Sequence, residues 1–330
     1  MKLFPRGRGQ LTDRGFKNSH LLGKFLKARY VDTGFLNSRM APREMYWKSR
    51  NNHRCLSTAS TVGAAMFQSE QTKFPHIGVV SDSHDSLLSG SSYCPRLNEI
   101  RDNLCSAIKD RKTTKKTRHE ASYECITNGS VPPIFQNMSI EDSDIYISLF
   151  ENDALKPGSH LDNIELIISE YMKVRHFYSG LGAYKNPEMV KLRFGNLVDL
   201  LLENLETVWR KHIKNKTKVK FLAFSTQDWL LAGLLESFGV FDEVLKRKPS
   251  REPGYNSMIV MELWKQGGQP FVKFYFKPEE ITSVNHKMID FTNVIPNCGS
   301  ATCHLSNFTN CCNDYRLSEE QFTKACVVKN

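Results

Sequence analysis

The alternation of hydrophobic and polar positions divides this 330-residue chain into helical and extended segments. Apolar residues recur at helical spacing in four long segments, residues 11–30, 54–67, 163–177 and 188–212. Short runs rich in aliphatic and aromatic residues predict strands over residues 44–49, 219–225, 257–264 and 271–276. Strand–helix units at both ends therefore enclose a mostly helical middle, which is typical of an α/β domain with an inserted helical cap.

Polar stretches and capping signals indicate where these parts begin and end. Residues 68 to about 120 are polar and predict loops and short helices. The sequence Ser318-Glu-Glu-Gln321 is a capping box that opens a last short helix. We therefore assign residues 1–68 and 214–330 to the α/β core and residues 69–213 to the cap.

Composition and charge narrow the class of protein. The longest apolar stretch is the seven residues from Trp229 to Leu235, whereas a membrane-spanning helix needs about 20, so no transmembrane segment is expected. Residues 1–60 hold 13 Lys and Arg against 3 Asp and Glu, which accounts for the whole net charge of +10. Such a segment attracts nucleic acid, an acidic membrane or phosphate-bearing substrates, or is a solvated surface. Because no zinc signature or aromatic-interleaved basic motif accompanies it, we do not expect a nucleic-acid partner.

Cysteines and glycosylation sequons indicate an exported protein. Five of the nine cysteines lie in the last 33 residues without the spacing of a zinc site, which favours disulfides and predicts no metal or other cofactor. Four N-x-S/T sequons, at Asn128, Asn137, Asn215 and Asn307, agree with a secreted or lysosomal location. Residues 1–8 contain no apolar core of an export signal, so we expect the sequence to begin downstream of the biological N-terminus.

Two predicted strand ends carry the candidate chemistry. Ser225-Thr226-Gln227-Asp228 leads from a strand into the helix predicted over residues 229–238, and ligands of open α/β sheets bind beyond the carboxyl ends of strands. Asp228 is there either the N-cap of that helix or a general acid. The cation-rich segment Lys48–Arg54 joins another strand to a helix and is either a phosphate clamp or a basic surface loop.

Several motifs, in register along the chain, resemble the histidine acid phosphatases of the lysosomal and prostatic type. Phe4–Thr12 is similar to the family's W-P-x-G-x-G-Q-L-T, and Ser49–Arg54 to its R-S-T-D-x-D-R-T. Tyr93–Arg96 and Phe224–Asp228 resemble its C-P-R and Y-S-A-H-D. Cys298–Leu305 is similar to C-x3-C-P-L with one extra residue, and the Cys-rich end with Cys311–Tyr315 looks most like the nematode branch. The resemblance covers essentially the whole chain and implies a mixed sheet flanked by helices, with an inserted helical cap.

The resemblance implies two-step hydrolysis of phosphate monoesters. In the family, a histidine of R-H-G-x-R on the first, central strand attacks phosphorus, arginines neutralise the phosphoryl oxygens, and the Asp of H-D protonates the leaving alcohol. Arg54 matches a phosphate-binding arginine and Asp228 matches the proton donor. Gln227 replaces the histidine of H-D and can offer only a neutral hydrogen bond to phosphate. R-H-G-x-R is absent from the 330 residues, so we expect the chain as it stands to lack the nucleophile and the first central strand.

The resemblance also implies a disulfide pattern. Two pairs carry over directly, Cys94–Cys326 and Cys298–Cys303. The family's third pair joins a position matched by Cys125 to a strand position that holds methionine here, so Cys125 is expected to pair with Cys311 or Cys312 or to stay reduced. The partner of Cys105 is left open. Cys55 lies within a closely packed predicted helix and is expected to be a buried thiol.

Two functions stay open on the sequence alone. One is a secreted or lysosomal acid phosphatase whose missing upstream exon supplies the export signal and the nucleophile. The other is a shortened, catalytically inactive paralogue that binds phosphate or another partner through the remaining cleft. A phosphate monoester or free phosphate is the expected ligand of both, and a second copy of the chain is a candidate partner.

Overall fold

The computed structural model describes most of the chain. Its described residues are 6–7, 9–67, 76–80, 85, 94–110, 113–129, 140–151, 164–246, 252–277 and 287–328. The α-helices are α1 (Asp13–Leu26), α2 (His53–Met66), α3 (Pro95–Asp102), α4 (Ser106–Lys109), α5 (Arg118–Thr127), α6 (Ile140–Glu151), α7 (Ile164–Ser179), α8 (Pro187–His212), α9 (Asp228–Ser237), α10 (Phe241–Leu245), α11 (Leu305–Asn310) and α12 (Glu319–Ala325). The strands are β1 (Met45–Arg50), β2 (Ile77–Val80), β3 (Phe221–Ser225), β4 (Met258–Gln266), β5 (Gln269–Lys277), β6 (Ile289–Asp290) and β7 (Cys303–His304). Within the described ranges, no helix is long and apolar enough to cross a membrane.

A parallel three-stranded sheet has the strand order β2–β1–β3. The register of β1 and β3 runs from Met45 opposite Phe221 to Ser49 opposite Ser225. Because the strands are parallel, their carboxyl ends lie at the same edge of the sheet, where α2 and α9 begin. The two strand ends that the sequence analysis singled out therefore lie side by side.

β2 lies in the stretch that the sequence interpretation assigned to loops and short helices. Its Ile-Gly-Val-Val run is only four residues long and stands in polar surroundings, so periodicity could not reveal it. β2 pairs with β1, with Trp47 opposite Ile77, although it lies beyond the core boundary proposed at residue 68. The division of the chain into core and cap stays a prediction.

A second, antiparallel sheet is built on the hairpin of β4 and β5, in which Met258 lies opposite Lys277. The two-residue turn has φ of 57° at Gly267 and 81° at Gly268, a backbone conformation that glycine adopts without steric penalty. The Gly267-Gly268 pair, which separates two strands predicted from the sequence, thus forms the hairpin turn. β6 and β7 both pair with the other edge of β5.

Helices cover both sheets and form the core. α1 packs on α2 so closely that a Cβ on Gly23 would lie 2.4 Å from the carbonyl oxygen of Val62. α8 carries Phe194 into the largest apolar cluster, where it joins Phe238, the C-cap of α9, and Phe274 of β5. At the C-terminus, Ser318 caps α12 in the reciprocal arrangement that the sequence predicted.

A cavity of about 2390 Å³ lies between the two sheets. All of β3 and residues Met258–Lys265 of β4 line it. Within the part of the chain that the structure describes, β3 pairs only with β1, and β4 only with β5. One edge of each strand therefore faces the cavity with backbone groups available to a further strand. A continuous mixed sheet would need one more strand in this position.

Disulfides tie distant segments together. The structure contains the two pairs that the resemblance implies, Cys94–Cys326 and Cys298–Cys303, and also Cys311–Cys312. Cys125 pairs with Cys105, at a Cα separation of 6.1 Å, so the expectation that it pairs with Cys311 or Cys312 or stays reduced is wrong. The packing of α4 against α5 brings these two cysteines together, which sequence spacing could not show. Cys55 is a buried, reduced thiol, as expected.

Candidate active site

Short polar contacts hold the start of α2 against the end of β3. Ser225 Oγ donates to the carbonyl oxygen of Cys55 at 2.8 Å. Cys55 Sγ in turn donates to the carbonyl oxygen of Thr226 at 3.5 Å. As a result Arg54 and Asp228, which are far apart in sequence, line the same cavity.

The cationic segment between β1 and α2 divides into separate roles. Lys48 is buried and pairs with Asp85 at 3.3 Å, so it does not face the cavity as part of a clamp. Asn52 caps α2 by accepting a hydrogen bond from the backbone N–H of Cys55 at 2.9 Å. Arg54 is the second residue of α2 and extends its exposed side chain at the cavity wall. Of this segment, Arg54 is placed to meet an anion in the cavity.

Asp228 is the first residue of α9, and the alternative that it is the N-cap is wrong. The N-cap is Gln227, whose side chain makes no capping hydrogen bond. The carboxylate of Asp228 instead accepts a hydrogen bond from Arg175 of α7, at 2.8 Å between Nη1 and Oδ2. This ion pair is partly accessible, because the Asp228 side chain is 39% exposed and that of Arg175 is 18% exposed.

The ion pair decides the protonation of Asp228. Burial alone raises the pKa of its carboxyl group, because it disfavours the charged form. The charge and hydrogen bond of Arg175, the backbone N–H of Trp229 and the charge of Arg54 outweigh burial, so the pKa is lowered below its ordinary value. In the unliganded site Asp228 is therefore a carboxylate at neutral and mildly acid pH.

Two hydrogen-bond donors hold the side-chain carbonyl oxygen of Gln227. Its Oε1 accepts a hydrogen bond from Trp229 Nε1 at 3.1 Å and another from Arg50 Nη1. Indole and guanidinium groups only donate, so the amide must turn its oxygen towards them. Its NH₂ group is then directed away from both, and Gln227 lines the cavity.

Three arginines contact residues 227–229, and the sequence analysis did not single them out. Arg175 pairs with Asp228, Arg50 contacts Gln227, and Arg193 of α8 lies 4.5 Å from the ring centroid of Trp229. Arg175 and Arg193 lie on predicted helices without any motif around them, so only the tertiary packing reveals them. Arg50 was visible as part of the cationic segment, but nothing in the sequence indicated that it contacts residue 227.

Two histidines that follow an arginine in the sequence, His119 and His176, do not line the cavity. His176 faces Glu252 at 3.2 Å and packs edge-on against Phe241, rather than lining the cavity. His119 belongs to α5 and packs against Tyr171. Neither imidazole is therefore placed to attack a phosphate in the cavity.

The sequons lie mostly on the surface. Asn128, Asn215 and Asn307 are exposed. Asn137 lies outside the described residues. The three exposed side chains are accessible to a modifying enzyme.

Comparison with known proteins identifies the family. The sequence profile of the histidine phosphatase superfamily (branch 2) matches residues 3–277, so the chain belongs to this family. It is 28% identical to "Putative acid phosphatase 1" of Caenorhabditis elegans, over 96% of this chain and 75% of that protein. It is 25% identical to the prostatic acid phosphatase of Homo sapiens, over 92% and 76% of the two chains, and 26% identical to the lysosomal acid phosphatase of Xenopus laevis, over 93% and 68%.

Solved structures share the fold. The apo form of Hafnia alvei phytase superposes with a TM-score of 0.63 over 99% of this chain and 90% of its own, at 14% sequence identity. The Citrobacter braakii phytase superposes with a TM-score of 0.57 over 97% and 90% of the two chains. The mixed α/β architecture expected from the sequence is thereby confirmed.

Proposed function

We propose that this chain forms the phosphate-binding and proton-donating part of an acid phosphatase that hydrolyses phosphate monoesters. One observation carries the proposal: Arg54, Arg175, Gln227 and Asp228 converge on one end of a cavity between two sheet edges. Arginines and an amide donor suit the oxygens of a phosphoryl group, and a carboxyl group suits protonation of the leaving alcohol. Membership of the histidine phosphatase superfamily supports this chemistry.

The nucleophile is proposed to arrive on a strand that fills the cavity. A histidine nitrogen on that strand would attack phosphorus while the bond from phosphorus to the ester oxygen breaks. Arg54 neutralises charge on the phosphoryl oxygens, Gln227 donates a hydrogen bond to one of them, and the carboxyl group of Asp228 gives its proton to the departing oxygen. Water then cleaves the phosphohistidine and releases phosphate.

Asp228 can donate a proton only after Arg175 leaves it. A bound phosphate group competes for the guanidinium of Arg175, because a dianion is a stronger partner than a single carboxylate. Once Arg175 turns to the phosphate, the burial that raises the pKa of Asp228 is no longer offset by this partner. Substrate binding thus prepares the proton donor.

The second candidate is a phosphate-binding protein without turnover. Two observations favour it: Gln227 carries no charge, and Arg175 holds Asp228 in its ionised form. In that case the four cavity residues retain an anion but transfer nothing.

Hydrolysis of an aryl phosphate at pH 5 by the protein from its natural source separates the two candidates. We expect turnover and, after brief exposure to labelled substrate, a protein-bound phosphate that is stable in alkali and lost in acid, as a phosphoramidate is. The Asp228→Asn variant should keep the label but form and lose it slowly. Binding of phosphate without turnover or label would favour the second candidate.

We also propose an oxidising destination for the protein, secreted or lysosomal. The disulfides and the exposed Asn128, Asn215 and Asn307 support this, as do relatives named prostatic and lysosomal acid phosphatases. Treatment of the natural protein with a glycosidase specific for N-linked glycans should increase its electrophoretic mobility. Unchanged mobility would remove the sequons from the case for export.

A further inference from the structure

The side-chain amide of Gln227 is oriented by its neighbours. Arg50 at the end of β1 and Trp229 in the first turn of α9 both donate to its Oε1. The amide N–H groups are therefore left for a ligand in the cavity, and rotation of the amide would set two donors against its NH₂ group. Arg50 thus determines what Gln227 can offer to an anion.

Arginines supply the positive charge around this amide. The guanidinium of Arg50 lies 5.7 Å from the ring centroid of Trp229, and that of Arg193 lies 4.5 Å from it. Arg54 and Arg175 stand at the cavity wall. Arginine side chains in general keep their charge from pH 5 to pH 8, although burial and the nearby charge of Arg101 lower the pKa of Arg193.

Other charged groups near the end of the cavity that Gln227 and Asp228 line come from several elements. They are Lys48 of β1 with its partner Asp85, His53 of α2, Asp144 of α6, His176 of α7 with its partner Glu252, and Asp228 of α9. Asp228 remains ionised above pH 5, because its pKa is lowered. The ring of His53 lies near Ser57 Oγ, at 3.4 Å, and the ring of His176 faces Glu252. The cations that line the cavity beside Gln227 are arginines.

We propose that Arg50 is a positioning residue for anion binding, which orients the Gln227 amide towards the cavity and supplies a charge there that does not depend on pH. In the family pattern quoted above, threonine stands at the position of Arg50 and histidine at that of Gln227. An imidazolium loses its charge near pH 6.5, whereas a guanidinium does not. The site therefore binds doubly charged oxyanions with similar affinity from pH 5 to pH 8. This inference rests on the proposed phosphate site.

Calorimetric titration of the 330-residue chain with sulfate tests the pH dependence. Sulfate resembles the phosphate dianion and keeps its charge of −2 from pH 5 to pH 8, so any change in affinity reports the protein. We expect the sulfate Kd of the unmodified chain to vary less than threefold over this range. A tenfold weakening between pH 5 and pH 8 would overturn the proposal.

Substitution of Arg50 tests its role. Arg50→Thr should weaken sulfate binding at least tenfold at every pH, and Arg50→Lys, which keeps a charge and a donor, should recover a large part of the loss. Arg39→Thr removes one exposed arginine elsewhere on the surface and should bind sulfate like the unmodified chain. Equal sulfate affinity in Arg50→Thr and the unmodified chain would contradict the inference while leaving the phosphate site in place. A chain that binds no sulfate at all would contradict both.

An imidazole introduced at position 227 measures the charge of Arg50 directly. By NMR, the ring in Gln227→His should titrate below the ordinary value of about 6.5, because the guanidinium of Arg50 disfavours a second cation. In the double variant Arg50→Thr/Gln227→His the same ring should titrate at least half a unit higher, and sulfate binding should be lost between pH 5 and pH 8. Identical titration of the ring in the two variants would show that Arg50 does not act on this position. The NMR comparison also remains informative if Arg50→Thr alone is unstable.

Discussion

At the scale of single residues, the ion pair between Arg175 and Asp228 sets the protonation of the Asp228 carboxyl group and occupies the Arg175 guanidinium. The Arg175→Met variant removes the cation but keeps most of the apolar stem, so the carboxyl pKa should rise towards or above its ordinary value, because burial then acts without its main offset. The measurement is a titration of the Asp228 carboxyl group by carbon NMR. An unchanged pKa would mean that Arg54 and the Trp229 N–H suffice to keep Asp228 ionised.

The same pair gives the fold a pH dependence with a definite sign. A carboxyl group whose pKa is lowered on folding stabilises the native state above its ordinary pKa, and that contribution is lost as the pH falls through the lowered value. Because Asp228 is 39% exposed, solvent screening limits the contribution to about 1 kcal/mol. Urea unfolding should show the unmodified chain more stable than Arg175→Met at pH 6, with the difference shrinking as the pH falls below the ordinary carboxyl pKa of 3.8. A difference that grows on acidification would contradict the assignment.

Asp228 itself should separate binding from chemistry. In the Asp228→Asn variant the carboxylate that pairs with Arg175 is lost and the guanidinium is released, so sulfate binding should become several-fold tighter. Hydrolysis of a phosphate monoester by the natural protein should fall by about 10²–10⁴, the usual contribution of a positioned general acid. Asp32→Asn, which removes an exposed carboxylate paired with Lys27, is the matched control and should change neither. Weaker sulfate binding in Asp228→Asn would exclude the proposed competition for Arg175.

Sequence reasoning found some of these residues and missed others for a physical reason. The strand–loop–helix patterns located the two segments that hold Arg54 and Asp228, since parallel strands bring their carboxyl ends together, and the family resemblance singled out these two residues. Arg175 contacts a residue that lies 53 positions further along the chain, and Arg50 contacts one that lies 177 positions further along. No local sequence pattern encodes such partners. That Asp228 is the first residue of α9 rather than its N-cap likewise emerges only from the structure.

At the scale of elements, hydrophobic periodicity located the long helices and the β4–β5 hairpin to within a few residues. It failed at β2, whose four residues are too few for a period to show. Hydrophobic periodicity also could not show which helix faces are in contact. α1 and α2 contact each other at Gly23. Close approach of two helices is a property of small residues in contact, not of the apolar stripe on either helix.

The contact of α1 with α2 predicts a sharp sensitivity at Gly23. A Cβ there would lie 2.4 Å from the Val62 carbonyl oxygen and 2.5 Å from the Ala65 Cβ, so the helices must separate. Gly23→Ala should destabilise the chain by about 1–3 kcal/mol in urea unfolding, more than offsetting the better helix propensity of alanine. In Gly15→Ala, on the same helix, the new Cβ meets side-chain atoms, those of Leu11 and Thr12 Oγ1, rather than the backbone of another helix, so the loss should be smaller or absent. Equal effects of the two variants would show that α1 and α2 can move apart freely.

At the scale of the whole molecule, the cavity between the two sheets links the fold to the proposed chemistry. Family resemblance indicated that a central strand is absent, but not where the gap lies or what lines it. The structure places β3 and β4 on opposite walls, with the arginines and Asp228 at one end of the same space. A strand added between them would pair with two edges at once and end near the residues that we propose to bind phosphate.

Long-range disulfides should carry much of the stability of a molecule with such a cavity. Cys94–Cys326 closes a loop of 232 residues and joins the start of α3 to the end of α12, whereas Cys298–Cys303 closes a loop of five. In the chain-entropy account the first contributes about 5 kcal/mol and the second about 2 kcal/mol, because the longer loop restricts the unfolded chain more. Urea unfolding of Cys94→Ala/Cys326→Ala should therefore show a loss larger by about 3 kcal/mol than that of Cys298→Ala/Cys303→Ala. Equal losses would mean that the unfolded chain already holds these ends together, or that α3 and α12 stay docked through Leu97, Leu317 and Phe322 without the disulfide.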